Sequence, residues 1–269
     1  MNQKERIARI QKALGVTADG VIGPATLTAA ELRLGFSMVK ESGTGTLKRT
    51  RDALHSMTPS TKAVEMIVAF EVVGESYYTR RLAKPTWPGG RSGVTIGIGY
   101  DIGYNSASQI EADWGGRIPD AYVQDLKGVA GLKGSPARDA AKRLADVGLK
   151  VPFDVARSVF HEKTLSRYAK TTLKAYPGVD KLPADAQGGM LSLVYNRGAS
   201  KSGASRKEMA DLAPAIEAGN LETMADLVRR MKRLWVGKNL DGLLKRRDAE
   251  ADLIENAKHD YAPGDYLVV

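Results

Sequence analysis

Glu71, Thr95 and Asp101 are the residues whose types and positions could support acid–base chemistry. Glu71 closes an apolar helical stretch, VAFEVVGE, so its carboxyl is predicted to be partly removed from water. Desolvation favours the protonated form of a carboxylic acid, and a protonated carboxyl can act as a general acid. A threonine hydroxyl can hold a water molecule, and an aspartate can act as a base or an electrostatic stabiliser. Each residue also has a structural interpretation: a solvent-facing glutamate, a strand-forming threonine, and an aspartate that begins a turn.

The stretch GVTIGIGYDIG alternates apolar and small residues as a strand does, and it predicts a strand within residues 91–104. One face carries Thr95, Gly97, Gly99 and Asp101. Glycines weaken a strand interior and mark places where another group approaches the backbone, so we expect this face to be the floor of a cleft. Thr95 and Asp101 can serve one bond only if the chain bends at the glycines, which glycine permits. GIGYDIG lacks the glycine spacing and following helix of a dinucleotide site.

The composition narrows the chemistry that is available. The chain has no cysteine and only three histidines, His55, His161 and His259, which are widely spaced. Disulfides, thiolate nucleophiles and cysteine-based zinc sites are excluded, and neither a metal nor a cofactor is expected. The net charge of +9 indicates an acidic partner, such as nucleic acid or an anionic cell surface. The most basic stretch, residues 229–247, interleaves charges with leucines, which fits either a solvated helix face or an anion-binding surface.

Apolar spacing predicts an α+β fold with many helices and one small sheet. Between the helical patterns, FSMVKESGTGTLKRT loses its periodicity and has the composition of a linker. The expected organisation is a first unit over 1–45, a linker over 46–60, a main domain over 61–260 and a tail over 261–269. The helices predicted in the main domain are one ending near Glu71, one beginning at Ser106, one from Ser135 to Gly148, and segments 152–175, 184–196, 205–218, 221–235 and 243–257.

Four stretches, in order, resemble the phage-type lysozyme (endolysin, muramidase) family. The glutamate at a helix end followed by GVTIGIGY is similar to the family's glutamate and its TIGIGH-like strand, and PTWPGGRSG fills the turn between them. LSLVYNRGAS is similar to an apolar helix that ends in asparagine or glutamine near a glycine. RLWVGKNLDGLLKRRDAEADL is similar to the family's late W…G…GL..RR..E..L segment. The resemblance covers roughly 62–255 and implies a lysozyme-like domain with Glu71 as the catalytic acid.

Two positions depart from the family's pattern. Gly89 stands where the family commonly has an aspartate, and Tyr100 replaces the usual histidine. The second carboxylate is therefore open, with Asp101 as the replacement candidate and Glu75 behind it. Thr95 matches the family's threonine. The resemblance implies that substrate contacts come from Gly97, Gly99, Tyr100, Asn196, Arg246 and Arg247. It also implies that one of these two arginines pairs with the catalytic acid and tunes its acidity, the alternative being an exposed helix cation.

The N-terminal stretch IQKALGVTADGVIGPATLTAAE resembles the core of a small peptidoglycan-binding module. Asp19, Gly20, Gly23 and Thr26 carry this resemblance. ELRLGFS stands where the family has a later Phe-Gln pair, so the module is short or divergent. The resemblance implies binding to the cell wall, while the glycines and the aspartate also fit a purely structural role in a turn.

Together the resemblances predict a modular, monomeric endolysin that hydrolyses the β-1,4 bond between N-acetylmuramic acid and N-acetylglucosamine of peptidoglycan. Nucleic acid is not an expected partner, and no apolar run predicts a signal peptide or a membrane span. The resemblance implies synthesis in the host cytoplasm and action on the wall after release by another protein. Two alternatives stay open: a lytic transglycosylase that uses Glu71 alone, which Gly89 favours, and a non-enzymatic wall-binding or virion structural protein.

Overall fold

The computed structural model of the chain separates into two units, Met1–Met57 and Thr58–Leu267. Most of the second unit and parts of the first are described. The described residues are 2–14, 18–21, 36–39, 46–49, 56–262 and 264–269. No helix in these ranges combines the length and apolar character needed to cross a bilayer.

The first unit contains one helix and one hairpin among its described residues. Helix α1 spans Gln3–Leu14. Strand β1, Phe36–Val39, pairs antiparallel with β2, Thr46–Arg49. The residues of β2 were expected in the linker, but they belong to the hairpin. The sequence also predicts a second helix in this unit, because Pro24 suits a first helical position, and this segment lies outside the described residues.

The second unit is mainly helical and contains one two-stranded sheet among its described residues. Its strands are β3, Thr95–Ile96, and β4, Tyr100–Asp101. Its main helices are α2 Thr61–Val72, α3 Ala107–Trp114, α4 Asp120–Gly128, α5 Ser135–Asp146, α6 Phe153–Val159, α7 Leu165–Ala175, α8 Ala184–Arg197, α9 Lys207–Glu217, α10 Leu221–Arg230 and α11 Asp241–Glu255. Shorter helical turns cover Glu75–Leu82, Ile102–Tyr104, Phe160–Thr164, Val179–Lys181, Ala204–Arg206 and Met231–Leu234. This composition agrees with the predicted α+β class.

Helix α8 lies at the centre of the second unit, where every residue from Ala184 to Tyr195 is buried. Two glycines allow neighbouring helices to approach it. A Cβ on Gly188 would collide with Ala63 of α2, and a Cβ on Gly189 would lie 2.7 Å from Ile254 Cγ1 of α11. The close packing of α2 and α11 on α8 brings three helices that are distant in sequence to one place.

The glycine-rich segment forms a hairpin rather than the single strand that the alternation predicted over 91–104. Thr95 pairs with Asp101 across the hairpin, and Gly97 and Gly99 make the bend with φ angles of +58° and +66°. These angles are strained for residues with a side chain, so the glycines are required by the bend. The apolar face was predicted correctly: Val94, Ile96, Ile98 and Tyr100 are all buried.

The C-terminal segment packs on the start of α2. Ser60 caps α2 by accepting a hydrogen bond from the Ala63 amide at 3.1 Å. The Thr61 amide donates to Asp265 O at 2.7 Å, and the Leu267 amide donates to Pro59 O at 3.0 Å. The residues expected to form a tail are therefore hydrogen-bonded to the second unit.

Candidate active site

A cleft of about 750 Å³ lies in the second unit beside the hairpin. It collects residues from the end of α2, the hairpin, α7 and the end of α8. Seven of the residues singled out in the sequence line it: Glu71, Thr95, Gly97, Gly99, Tyr100, Asp101 and Asn196. Within the described part of the chain, no three acidic or histidine side chains are grouped so that they could hold a metal ion.

Glu71 is held at the cleft by one of its two carboxyl oxygens. Its side chain is 21% exposed, and Oε1 accepts a hydrogen bond from Arg246 Nη1 at 2.6 Å. Oε2 lies towards the hairpin, because a Cβ built on Gly99 would be 3.3 Å from it. No described residue donates a hydrogen bond to Oε2. The hydrogen bond to Oε1 thus fixes the orientation of the carboxyl, and Oε2 is available for a hydrogen bond or a proton transfer to a ligand.

Arg246 is itself fixed by a buried polar network. Its Nε lies 3.3 Å from Ser192 Oγ and 3.2 Å from Glu250 Oε1. Ser192 Oγ donates to the same Glu250 oxygen at 2.6 Å. Burial raises the pKa of Glu250, and the nearby arginines and the Ser192 hydroxyl act in the opposite direction. The network ties the orientation of Glu71 to the packing of α8 against α11.

Of the two arginines expected beside the acid, Arg246 makes the ion pair and Arg247 does not. Arg247 is fully buried and donates to Glu250 Oε1 at 2.8 Å and to Asn196 Oδ1 at 3.1 Å. Arg246 is 4% exposed at its side chain and does not line the cleft either. Arg246 does line a smaller pocket that also contains Glu71 and Asn196, whereas Arg247 lines neither that pocket nor the cleft. Substrate contact by Arg246 therefore stays a prediction, and Arg247 lies behind both cavities.

Asp101 lines the cleft, but its carboxyl is occupied by backbone amides. Its Oδ1 accepts from the Gly103 amide at 2.8 Å, and both oxygens lie 3.0 Å from the Gly93 nitrogen. Burial raises the pKa of Asp101, while these amides and Lys133 lower it. The carboxyl closes the hairpin and caps the helical turn that follows it. The structural interpretation, an aspartate that begins a turn, describes these contacts.

Thr95 has a buried hydroxyl with no hydrogen-bond partner among the described residues. Its backbone amide is used, donating to Thr86 O at 2.8 Å. A buried hydroxyl without a partner is costly, so its presence beside the cleft calls for an explanation other than stability. A water or a substrate hydroxyl in the cleft would satisfy it.

A second polar cluster in the cleft was missed by the sequence reasoning. The Tyr100 hydroxyl donates to Asp113 Oδ2 at 2.7 Å, and Arg167 pairs with the same carboxylate. Arg167 Nη1 also donates to Asn105 Oδ1 at 2.6 Å. Burial and the hydrogen bond to Asp113 raise the pKa of Tyr100, so its hydroxyl is neutral. No short motif marks Asp113 or Arg167; helical spacing placed them on helices, and only the fold brings buried Asp113 of α3 to Arg167 of α7, which lines the cleft.

Two tyrosines line the cleft next to Glu71. The Tyr195 hydroxyl donates to Ile98 O in the hairpin bend at 2.7 Å. The rings of Tyr168 and Tyr195 have centroids 4.5 Å apart. A Cβ on Gly99 would approach the Tyr195 oxygen to 2.8 Å. The bare face of the hairpin is therefore covered in part by the protein itself, by Tyr195 and Glu71.

In the first unit, Gln11, a residue that the sequence reasoning did not single out, holds the turn that contains Asp19 and Gly20. Gln11 Nε2 donates to Asp19 Oδ1 at 2.6 Å, and its Oε1 accepts from the Gly20 amide at 2.7 Å. The Val21 amide donates to Asp19 Oδ1, and this bond lowers the pKa of Asp19. These contacts fit turn formation. The other two residues of the motif, Gly23 and Thr26, lie outside the described residues.

Residues 67–180 match a protein family described as a domain of unknown function (DUF8812). No curated protein matches the chain. The matched span contains Glu71, the hairpin and Arg167, and it ends before Asn196 and Arg246. The family therefore covers the hairpin side of the cleft but not the arginine that holds the glutamate.

Proposed function

We propose that the second unit is a lysozyme-like glycosidase that cleaves the β-1,4 bond between N-acetylmuramic acid and N-acetylglucosamine in peptidoglycan. The proposal rests on the orientation and hydrogen bonding of the Glu71 carboxyl. This carboxyl is oriented by a buried arginine through Oε1 and leaves Oε2 without a partner among the described residues, inside a cleft of about 750 Å³. A proton donor for a glycosidic oxygen needs such a fixed carboxyl beside a groove that admits a sugar.

In this mechanism, Glu71 Oε2 donates its proton to the glycosidic oxygen as the bond to the anomeric carbon breaks. Arg246 keeps the carboxyl in one orientation and stabilises the carboxylate that remains. Water then adds to the anomeric carbon, and the buried hydroxyl of Thr95 is the group placed to position it. The net result is one water added across the bond, and proton return from the water restores Glu71.

The substrate class is supported by the walls of the cleft and by the charge of the chain. Tyr168, Tyr195 and Tyr104 offer aromatic surface to the cleft, and Arg167 and Asn105 offer hydrogen-bond donors and acceptors. These groups suit a polymer of amide-bearing sugars. The net charge of +9 suits an anionic envelope. Wall binding by the first unit, and a route from the host cytoplasm to the wall after release by another protein, are part of the proposal and rest on sequence resemblance.

A lytic transglycosylase is the second candidate, and the contacts of Asp101 favour it. The Asp101 oxygens already accept backbone amides, and Glu71 is the other carboxylate among the described residues lining the cleft. In a transglycosylase one acid suffices, because a hydroxyl of the sugar itself attacks the anomeric carbon. The product is then an anhydro sugar end, which lacks the added water.

Product analysis on purified peptidoglycan tests both candidates. We expect fragments with one added water for the wild-type protein and at least a hundredfold lower turnover for Glu71→Gln. Glu75→Gln is the matched control: this glutamate, the other candidate for the second carboxylate, is exposed, lies beyond the end of α2 and does not line the cleft. Fragments with anhydro ends would contradict the hydrolase and support the transglycosylase. Wild-type turnover in Glu71→Gln would eliminate both.

A further inference from the structure

A second cavity, of about 480 Å³, lies beside the cleft and shares Asn196 with it. Two arginines and one tryptophan dominate its lining: Arg197 at the end of α8, Arg206 before α9, and Trp235. Ser205, Lys238 and Leu243 complete its rim. The proposed glycosidase mechanism uses none of these residues.

Arg197 and Arg206 carry positive charges that form no direct ion pair within the described part of the chain, although Glu208 and Glu250 act on Arg197 from a distance. Neither makes an ion pair, and the Nη1 atom of each is buried without a hydrogen-bond partner among the described residues. Glu208 binds Arg233 through both oxygens, and Glu250 binds Ser192, Arg246 and Arg247 through Oε1, while its Oε2 has no partner among the described residues. Arg197 and Arg206 are half-buried, and a partly desolvated charge without an ion-pair partner is unfavourable unless a ligand compensates it.

The electrostatic surroundings of Arg197 disfavour its positive charge. Burial, and then the positive charges of Arg206 and Arg247, lower the pKa of Arg197 to about 10, while Glu208 and Glu250 act in the opposite direction without compensating fully. Its guanidinium lies 4.9 Å from the ring centroid of Trp235 and donates through Nη2 to Ser205 O at 2.7 Å. Stacking and this hydrogen bond hold the group in place, but neither supplies negative charge.

We propose that this cavity binds a carboxylate of the peptide stem of peptidoglycan, with Arg197 and Arg206 as its cationic ligands. A planar guanidinium matches a carboxylate through paired N–H donors, and two guanidiniums that lack a counterion favour an anion. Because Asn196 lines both cavities, a peptide attached to a sugar in the cleft has a direct path to the arginines. The choice of a peptide stem rests on the proposed function; the anion site itself rests on the arginines.

The test is a titration of the full-length protein with a synthetic stem tetrapeptide that has free carboxylates. The same peptide with every carboxyl amidated, and inorganic phosphate, are the comparison ligands. Binding is read from the NMR signal of the Trp235 indole N–H, assigned with Trp235→Phe. The variant is Arg197→Gln with Arg206→Gln. The charge-matched control is Arg138→Gln with Arg230→Gln, since both of these arginines are exposed and lie outside the cavity.

We expect the wild-type and control proteins to bind the acidic peptide. Binding should be at least about tenfold weaker for the cavity variant with the acidic peptide, and for the wild type with the amidated peptide. Without ligand, the cavity variant is expected to be as stable as the wild type or more so, because two unpaired charges are removed; a large loss of stability would overturn the proposal. So would equal binding by the cavity variant, equal binding of the amidated peptide, or tighter binding of phosphate.

The peptide contains no sugar, so this result is independent of glycan cleavage. Loss of turnover in Glu71→Gln tests the proposed function, whereas loss of peptide binding in the arginine variant tests the second site. Cleavage without peptide binding would contradict only the proposed second site. Peptide binding without cleavage would contradict only the proposed glycosidase and would still support the anion site.

Discussion

Glu71 and Arg246 are 175 residues apart in the sequence, and their side chains meet at 2.6 Å beside the cleft. The first closes helix α2 and the second lies on α11, and both helices pack on the glycine-bearing side of α8. Arg246 is tied further to Ser192 and Glu250 inside the protein. The orientation of the candidate acid is thus a property of the helical core, not of a loop.

Replacing Arg246 should affect both stability and turnover. For Arg246→Met we expect the free energy of unfolding to fall by about 3 kcal/mol, because the carboxylates of Glu71 and Glu250 lose a buried partner. Turnover on peptidoglycan should fall about a hundredfold as the acid loses its fixed orientation. Urea denaturation and product release measure the two effects. Arg229→Met, which removes a more exposed arginine, should cost about 1 kcal/mol or less and leave turnover unchanged.

The Tyr195 hydroxyl should matter for the hairpin more than for the core in general. Tyr195→Phe removes the hydrogen bond to Ile98 O and should cost about 1–2 kcal/mol together with a loss of turnover, because the hairpin bend faces Glu71. Tyr176→Phe removes an equally buried hydrogen bond, to Met209 O at 2.9 Å, outside the cleft. It should cost a similar free energy and keep turnover. Equal turnover in both variants would contradict a role for the hairpin in positioning the acid.

Thr95→Val should separate stability from activity. The hydroxyl has no partner among the described residues, so its replacement by a methyl group should leave the free energy of unfolding unchanged or raise it by about 1 kcal/mol. If the hydroxyl positions water, turnover should nevertheless fall at least about tenfold. Thr95→Ser keeps the hydroxyl and should keep turnover. A fully active Thr95→Val protein would show that the water is positioned by another group.

Gly99→Ala should be more harmful than a glycine replacement with the same backbone angle elsewhere. Gly99 has a φ of +66°, and its new Cβ would lie 2.8 Å from the Tyr195 oxygen. Gly116 has a φ of +68° and open space around its Cβ position. Both alanine variants should lose about 1–2 kcal/mol through backbone strain. Only Gly99→Ala should also disturb the cleft. The close approach of Gly99 to Tyr195 would be contradicted if both variants lost the same free energy of unfolding and Gly99→Ala kept full turnover.

His161 should make the stability of the fold depend on pH. Burial and the charge of Arg157 lower the pKa of His161 below its ordinary value of 6.5, while Glu65 and Glu162 act in the opposite direction. Between the lowered pKa and 6.5, the unfolded chain binds more protons than the folded one. The free energy of unfolding should therefore rise with pH through this window, and stability should be lost as the pH falls below about 6.5.

The measurement is urea denaturation of the wild type and of His161→Gln at a series of pH values from 5 to 8. Subtracting the two curves isolates the histidine from carboxylates that also titrate near pH 5. The difference should grow towards higher pH. A difference that is constant across the series would show that the folded protein leaves His161 at its ordinary pKa.

Local signals in the sequence predicted most of the main helices but missed α4, Asp120–Gly128, which begins after Pro119 without a side-chain cap. The helix over 184–196 is found at Ala184–Arg197, and the Ser106 cap is present, with its hydroxyl 3.1 Å from the Gln109 nitrogen. The stop at Gly148 follows helix α5, with a φ of +86°. Such signals depend on residues within one or two helical turns, so they can be read without knowledge of the fold.

The position of the bend in the hairpin could not be predicted from such local signals. Alternation correctly assigned the buried side chains, but it could not locate the bend, because a glycine fits both an extended strand and a turn. The bend at Gly97 and Gly99 is determined by what packs against it, Trp114 on one glycine and Tyr195 on the other. The Asp101 carboxyl accepts hydrogen bonds from the Gly93 and Gly103 amides, a backbone role that its sequence position could not distinguish from a catalytic one.

By itself the sequence determined most of the helical segments, the buried face of the hairpin and that a glutamate closes an apolar helix, since these features follow from spacing and residue type over short distances. Only the tertiary structure decided that Arg246 rather than Arg247 holds that glutamate, that Asp113 pairs with Arg167 beside the cleft, and that Arg197 and Arg206 share a cavity without an ion pair to any described residue. Each of these depends on contacts between segments that are far apart in the chain. One residue's shift along a helix turns a side chain by about 100°, so the partner of a charge is set by packing rather than by its neighbours in sequence.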